Sequence, residues 1–189
     1  MSTLQETDDV ELLRIAQDGN VDAFGELYER YAQRVFRFLY AHLDNRLDAE
    51  DLVGDVFLRV WRSLPKYQEQ GVPFLAFLFR IARNALIDHY RRSGKSKQNV
   101  SIDDITLRDG EPEPGDTVTA NLEHEELRQT LGELREDYRT VLVLRFLSEL
   151  SPDETAAVMG RSAGAVRVLQ HRALAALRKL MDKKSRRSV

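Results

Sequence analysis

The segment Ser151–Leu180 constrains the fold of this chain more than any other part of the sequence. Ser151 and Glu154 have the spacing of a capping box, and the proline between them suits the first position of a helix. Gly160 suits the left-handed residue that ends such a helix, and Ser162 is a good cap for the next one. Two helices joined by so short a turn must cross and pack, as in a helix-turn-helix whose second helix enters the DNA major groove.

The second helix of this pair has two chemically different faces. Basic residues continue from Arg161 to the C-terminus, and Asp182 is the only acid after Gly160. Apolar residues at steps of three and four predict a buried stripe on the other side. The stripe contains Val166, Leu169, Ala173, Leu177 and Leu180. The pattern fits a helix that reads DNA, and it also fits a solvated helix with a basic tail.

Composition indicates a folded protein and excludes several kinds of site. The chain has 189 residues, 42% of them hydrophobic and 31% charged, which suits one domain or two small ones. The absence of cysteine excludes disulfides and thiolate metal sites. The N-terminus is acidic, unlike a signal peptide, and arginines interrupt the longest apolar run, 72–87. We therefore expect a cytoplasmic protein with no membrane insertion.

Charge is distributed in blocks along the chain, although the formal net charge is only −3. Residues 1–29 are acidic, 74–97 are basic, 99–126 are acidic again, and the C-terminal helix is basic. Because the distribution of charge matters more than its sum, the two basic blocks predict two separate surfaces for polyanions.

Helical periodicity dominates the sequence, and alternating strand patterns are absent. Amphipathic helices are predicted at 20–41, 48–64 and 74–92, which together make a small bundle. Residues 93–119 are rich in Gly, Ser, Asp, Glu and Pro, as a linker would be. We predict an all-α protein of two small helical domains joined by a flexible acidic linker. The predicted limits are 1–95 for the first domain, 96–119 for the linker and 120–185 for a four-helix second domain.

The helix predicted at 48–64 carries a leucine among charged residues on its outer side. Its apolar residues share one broad face, and Asp48 is a candidate N-cap. The opposite face carries Leu58 among charges, with Asp55 and Arg59 spaced for an i,i+4 ion pair. A leucine in that setting indicates a docking surface, although single exposed leucines also occur on plain surface helices.

The third helix and the segment before it mix aromatic residues with arginines. Aromatic faces stack unpaired bases and basic groups track phosphates, so the mixture suits a surface for single-stranded nucleic acid. Packing in a core also explains aromatic residues at helical spacing, and we expect at least half of them to be buried. The aromatic residues are Tyr67, Phe74, Phe77, Phe79 and Tyr90. Polar residues that recur on one side are harder to place in a core, namely Arg83, Asn84, Asp88 and Arg91.

Three stretches in this order resemble the extracytoplasmic-function class of bacterial sigma factors: DAEDLVGDVFLRVW, FLFRIARNALIDHYRR and a helix-turn-helix ending in HRAL. The resemblance covers nearly the whole chain except the linker. It implies that the two domains are region 2 and region 4 of a sigma-70 protein. Such a protein binds core RNA polymerase through the β′ clamp and the β flap, as a monomer, and directs it to promoter DNA. The resemblance also implies an anti-sigma factor as partner, and no cofactor, metal or catalytic residue.

The resemblance assigns roles to residues of this chain by position. The surface for the β′ clamp would comprise Asp48, Asp51, Asp55, Leu58 and Arg59. The surface for the melted minus-ten strand would comprise Tyr67, Arg80, Arg83, Asn84, Asp88, Arg91 and Arg92. The helix for the minus-thirty-five element would supply Arg161, Ser162, Ala163, Gly164, Arg167, Val168, His171 and Arg172.

Two departures from the family pattern bear on function. Gly54 stands in mid-helix where a longer polar residue is usual, and glycine there costs about 1 kcal/mol. Leu169 and Gln170 stand where an arginine and a leucine are common. Several neighbouring positions lack hydrogen-bonding side chains, so Arg167 and His171 are the best candidates for reading bases directly. We expect DNA shape to supply part of the specificity.

Two other functions compete with this interpretation. A helix-turn-helix regulator of duplex operators explains the C-terminal half equally well. It does not explain the outer face of the helix at 48–64 or the mixture of aromatic residues and arginines. An enzyme is poorly supported, because the histidines are scattered and the sequence has neither a phosphate-binding glycine loop nor a nucleophile elbow.

Overall fold

This computed structural model describes residues 4–68, 72–94 and 118–186, with side chains from 125 onward in the last range. Within these ranges every regular element is helical, as the sequence predicts. The α-helices are α1 (Asp9–Gln17), α2 (Val21–Tyr40), α3 (Arg46–Ser63), α4 (Phe74–Arg92), α5 (Val118–Gly132), α6 (Glu136–Leu142), α7 (Pro152–Met159) and α8 (Ala163–Ser185). Short 3₁₀ turns lie at Leu4–Glu6 and Leu64–Lys66, and a π-helical turn, Val143–Leu147, continues α6. Most of the predicted linker, 96–119, lies outside the described residues.

Two helix starts differ from the sequence-based expectation. The sequence pattern did not predict α1, whose N-cap is Asp8; the Asp8 carboxylate accepts a 2.8 Å hydrogen bond from the Glu11 amide. α3 begins earlier than predicted, because the Asn45 side chain caps it by accepting a 2.9 Å hydrogen bond from the Leu47 amide. The expectation that Asp48 is the cap is therefore wrong. Asp48 lies in the first turn, where its charge complements the helix dipole.

The first four helices form a bundle around aromatic and branched side chains. α2 packs against α1 and α3, and α4 packs against α3 and α2. Phe38 on α2 meets Phe79 on α4 edge to face, with ring centroids 5.7 Å apart. Gln17 ties the end of α1 to the segment after α3 by donating to the carbonyls of Leu64 at 3.1 Å and Tyr67 at 2.7 Å. Each large buried side chain stabilises the bundle by about 1.5–3 kcal/mol, which exceeds the roughly 1 kcal/mol of a typical hydrogen bond.

The predicted helix-turn-helix is present in the second helical unit, α5–α8. The Ser151 hydroxyl accepts a hydrogen bond from the Glu154 amide, and the Glu154 carboxylate accepts one from the Ser151 amide, so the predicted capping box is confirmed. Gly160 has φ 64°, a left-handed conformation that glycine adopts without strain. Ser162 caps α8 by accepting a 3.2 Å hydrogen bond from the Ala165 amide. α8 then packs against α5, α6 and α7.

The two helical units pack directly against each other, which the sequence did not predict. α7 lies against α4, and the π-helical turn lies against α2. Arg34 on α2 donates to the Ser148 carbonyl at 2.9 and 2.6 Å and to the Glu149 carbonyl at 3.2 Å. His42 and Thr140 add a buried hydrogen bond of 3.2 Å between the units. These contacts hold the two units in a closed arrangement.

Candidate protein- and nucleic-acid-binding surfaces

The outer side of α3 carries an exposed surface that we name the α3 face. It comprises Leu47, Asp51, Gly54, Asp55 and Leu58. Leu58 is 56% exposed and Asp51 is exposed, in agreement with the sequence analysis. Leu47, which is 67% exposed, lies one turn before Asp51 because residues four apart align on a helix. The sequence analysis missed Leu47, although its helical spacing from Asp51 and Leu58 is a sufficient signal.

Arg59 lies beside the α3 face and binds two carboxylates. Its Nη2 is 2.8 Å from Asp55 Oδ2, so the predicted i,i+4 ion pair is confirmed. Its Nη1 donates a 2.8 Å hydrogen bond to Asp88 Oδ2 on α4, which raises the pKa of Arg59 and lowers that of Asp88. Asp48 lies in the same seam between α3 and α4, with its Oδ2 4.0 Å from His89 Nε2. Arg59 and Asp88, which the sequence analysis assigned to different surfaces, are therefore in direct contact.

The outer side of α4 is a basic surface that we name the α4 face. Its members are the exposed Arg80, Asn84, Arg91 and Arg92 and the half-buried Arg83. An open cleft of about 350 Å³ at the C-terminal end of α4 is lined by Arg59, Asp88, Arg91 and Arg92. Guanidinium groups bind phosphate oxygens through pairs of parallel hydrogen bonds. The cleft therefore has the charge and the donors to bind an anion such as a nucleic-acid phosphate.

Tyr67 does not belong to the exposed surface. Its side chain is 9% exposed, its hydroxyl donates a 2.8 Å hydrogen bond to the Val72 carbonyl, and its ring lies against Phe77. The Tyr67 ring is therefore not open to a base in this structure, and the assignment of Tyr67 to the minus-ten strand stays a prediction. Phe74 and Phe79 are also buried, so the expectation that at least half of these aromatic residues belong to the core is confirmed.

Two residues immediately before α8 stabilise the helix-turn-helix itself. Ser162 uses its hydroxyl as the helix cap, and Arg161 forms a 2.8 Å ion pair with Asp137. Val166 and Ala173 are fully buried, as the predicted apolar stripe requires. The sequence analysis placed Arg161 and Ser162 among the DNA-binding residues, and the structure shows that both already have a partner within the protein.

The outer side of α8, which we name the α8 face, is open to solvent. It comprises the exposed Gly164, Arg167, Val168, His171 and Arg172 beside the half-buried Ala163. Within the described ranges, Arg167, His171 and Arg172 form no ion pair with a carboxylate. Gln170 lies inward of this face and accepts a 3.1 Å hydrogen bond from Arg145 Nε. The α8 face therefore presents cations and hydrogen-bond donors that no neighbouring side chain neutralises.

The described ranges contain no group of three or more His, Asp or Glu side chains arranged to hold a metal ion. None of the helices in those ranges is both long enough and apolar enough to cross a membrane.

Comparison with protein families gives two matches that include all three faces. Residues 27–96 match Sigma-70 region 2, and residues 124–177 match Sigma-70 region 4. The first match contains the α3 and α4 faces, and the second contains the α8 face.

Individual proteins similar to this chain are sigma factors. The ECF RNA polymerase sigma factor BldN of Streptomyces coelicolor is 36% identical over 177 residues, which cover 94% of this chain and 67% of BldN. SigD of Mycobacterium tuberculosis, also an ECF sigma factor, is 34% identical over 170 residues, which cover 85% of this chain and 77% of SigD. The structure of CnrH, an RNA polymerase sigma factor of Cupriavidus metallidurans, was solved in complex with the cytosolic domain of CnrY. It matches with a TM-score of 0.72 and 31% identity over 93% of this chain and 97% of CnrH. Since both regions match in order and the similarity extends over nearly the whole chain, this protein belongs to the ECF class of sigma-70 RNA polymerase sigma factors.

Proposed function

We propose that this sigma factor binds core RNA polymerase through the α3 face and contacts promoter DNA through the α4 and α8 faces. The α3 face would meet the β′ clamp, and the second helical unit would meet the β flap. The α4 face would hold the melted minus-ten strand, and the α8 face would read the duplex minus-thirty-five element. One observation carries the proposal: an acidic, leucine-bearing face and two cationic faces lie on three different helices.

The α3 face has the composition of a protein-docking surface. Leu47 and Leu58 offer apolar area, and burying each would contribute about 1.5–3 kcal/mol at most. Asp51 and Asp55 would attract cationic side chains on the polymerase, which favours rapid association and the correct orientation.

The two cationic faces suit different forms of DNA. On the α4 face, Arg91 and Arg92 would hold phosphates, which positions a strand without reading its sequence. Asn84 is exposed on the same helix, about two turns before Arg91, and would contact an unpaired base. On the α8 face, Arg167 and His171 would donate hydrogen bonds to base edges in the major groove.

Further properties follow from membership of the family. Sigma factors are not enzymes, and we propose that this chain acts without a catalytic site or cofactor, in the cytoplasm, as one copy per polymerase. An anti-sigma factor is proposed as a second protein partner. The structure of CnrH with the cytosolic domain of CnrY supports this proposal, because it is a complex of a similar sigma factor with another protein.

Transcription with purified core polymerase tests the proposal. Core polymerase is incubated with fragmented genomic DNA of the source organism, with and without the protein, and the 5′ ends of the transcripts are mapped. We expect start sites that require the protein and share two upstream sequence motifs. A helix-turn-helix regulator that acts without polymerase would bind DNA but create no protein-dependent start site, and that result would overturn the proposal.

A further inference from the structure

An exposed valine stands among the cations of the α8 face. Val168 is 52% exposed, whereas the next residue, Leu169, packs against the core. A side chain that remains in water contributes little to the core, and β-branched valine forms a helix less readily than alanine does. Packing within the described residues therefore does not require a valine at this position.

Helix geometry places Val168 near the centre of the α8 face. Residues follow one another at about 100° around the helix axis, so the centre of this face lies opposite the buried Val166 and Ala173. Val168 lies about 30° from that centre, and Arg167 and Arg172 lie about 70° to either side of it. A helix that enters the major groove turns its centre toward the base edges, and arginines on its flanks are long enough to reach bases or phosphates.

Gly164 leaves the space beside Val168 open. Gly164 is exposed and lies about one helical turn before Val168. A Cβ at Gly164 would meet nothing within 4 Å among the described residues, so packing does not require glycine there, although alanine favours a helix more. A base edge can therefore approach the α8 backbone closely and reach the methyl groups of Val168.

The chemistry of valine selects among the four bases. Guanine, cytosine and adenine present only hydrogen-bonding groups in the major groove, whereas thymine also presents its C5 methyl group. Valine has no side-chain donor or acceptor. It would leave the polar edge of another base without a partner, which costs free energy, but it can pack against the thymine methyl.

From this placement we infer that Val168 is a specificity-determining residue that packs against the C5 methyl group of a thymine in duplex DNA. The inference rests on the proposed function of the α8 face and names a base that this face selects. Arg167 and His171 recognise hydrogen-bonding groups, and Val168 adds recognition of an apolar group between them and Arg172.

Single replacements of thymine by deoxyuridine in duplex DNA test the inference. Deoxyuridine lacks the methyl group and keeps every hydrogen-bonding group of thymine. The probe is the upstream motif of the mapped start sites, bound by holoenzyme. If no start site is found, the probe is the duplex that the free full-length protein selects from a random-sequence pool. We expect replacement of one thymine to lower affinity about 4-fold, which corresponds to ~0.8 kcal/mol for one apolar carbon.

Variants of Val168 identify the residue that makes the contact. Val168→Ala removes both methyl groups, so the same deoxyuridine replacement should then change affinity less than about 2-fold. Val168→Ile keeps an apolar contact and should keep the sensitivity to deoxyuridine. The matched control is Val10→Ala, the same change at a residue of α1 that is 56% exposed, and it should leave the 4-fold effect intact. Circular dichroism checks that each variant is folded.

The inference is overturned if no thymine replacement lowers the affinity of the unmodified protein, or if the sensitive thymine remains sensitive in Val168→Ala. It is also overturned if neither holoenzyme nor the free protein selects a common duplex sequence, because α8 then reads no base. The proposed function fails separately, when the protein creates no start site with core polymerase. In that case, the deoxyuridine replacements on the selected duplex still decide whether Val168 reads thymine.

Discussion

The two helical units present their functional side chains in different ways. In the first unit, Arg59 is held by Asp55 and Asp88, so the α3 and α4 faces share a network of ion pairs. In the second unit, Arg167 and His171 are exposed and have no carboxylate partner within the described ranges. Side chains that are ordered before binding lose less conformational entropy when a partner arrives. Under the proposed function, polymerase and melted DNA would therefore meet a preformed surface, whereas duplex DNA would itself order the side chains that read it.

The backbones of the two units differ as well. Among the described residues, Glu149 is the one non-glycine with a positive φ, at 57°. That conformation costs a residue with a side chain roughly 1–2 kcal/mol. Arg34 of the first unit binds the carbonyl of Glu149 and that of Ser148 before it. The strained turn of the second unit is therefore held by a contact that exists only while the two units are packed together.

Reversing charges on the α3 face should give the largest effect. We expect Asp51→Arg combined with Asp55→Arg to weaken binding to core polymerase by about 30- to 100-fold, or ~2–3 kcal/mol, because attraction becomes repulsion at the interface. Affinity is measured by titration of labelled protein with core polymerase, and folding is checked by circular dichroism. The matched control is Glu29→Arg with Glu126→Arg, which changes the net charge equally at exposed positions outside the α3 face. Equal losses for the two double variants would refute a specific docking role for α3.

Loss of Arg34 should open the closed arrangement of the units. Hydrogen bonds from a charged donor contribute about 1.5–3 kcal/mol, and Arg34→Ala removes those that join α2 to the turn at Ser148 and Glu149. Because the chain has no cysteine, a variant that carries Glu29→Cys and Lys179→Cys can be labelled with dyes at those two positions only. We expect Arg34→Ala to lower energy transfer between the dyes, whereas Arg62→Ala on the exposed side of α3 should not. Unchanged transfer in Arg34→Ala would show that other contacts hold the units together.

The affinity of the cationic cleft for single-stranded DNA should depend measurably on salt concentration. Each phosphate contact on a single strand contributes about 0.7 to the slope of log affinity against log salt, so Arg91→Ala with Arg92→Ala should lower that slope by about 1.4 in holoenzyme. The slope on a duplex minus-thirty-five probe should not change. Arg14→Ala with Arg62→Ala removes two positive charges outside the cleft as a control. Equal changes in slope for both double variants would indicate a general charge effect and not a phosphate site.

The sequence predicted the parts of this molecule that local physics determines. The capping box at Ser151 and the left-handed Gly160 were predictable because each depends on a few neighbouring residues. The Arg59–Asp55 ion pair was predictable for the same reason, since the two residues are one helical turn apart. The second partner of Arg59 was not predictable, because Asp88 is distant in sequence and reaches Arg59 only through the packing of α4 on α3.

Burial and packing between the units were the harder features to predict. Tyr67 is an aromatic residue of the kind that stacks on bases. The hydrogen bonds of its carbonyl and hydroxyl groups nevertheless hold it in the core. The contacts of Arg34 join residues more than a hundred positions apart, with |i−j| of 114 and 115, and no local pattern encodes them.

The smallest effect concerns Gly54 on the α3 face. A Cβ at Gly54 would meet nothing within 4 Å, so Gly54→Ala should stabilise α3 by about 1 kcal/mol. The same substitution at the exposed Gly25 of α2, which also has open space, should stabilise the fold equally. We expect only Gly54→Ala to weaken polymerase binding, by about 3-fold for ~0.6 kcal/mol, because an added methyl prevents the closest approach of a partner. Thermal unfolding and core titration measure the two effects, and equal core affinities for both variants would exclude a role of Gly54 in docking.

The central claim is that the α4 and α8 faces bind different forms of DNA. It is tested most directly by comparing one variant on a duplex probe and on a pre-melted promoter. Arg167→Ala removes a donor from the α8 face, and a good base contact is worth about 1–3 kcal/mol of discrimination. Holoenzyme carrying Arg167→Ala should lose about 10-fold in binding to a duplex minus-thirty-five probe, yet open and transcribe a promoter that is already melted at minus ten as well as the unmodified protein does. Equal losses on the duplex probe and the pre-melted promoter would contradict the division of DNA binding between α8 and α4.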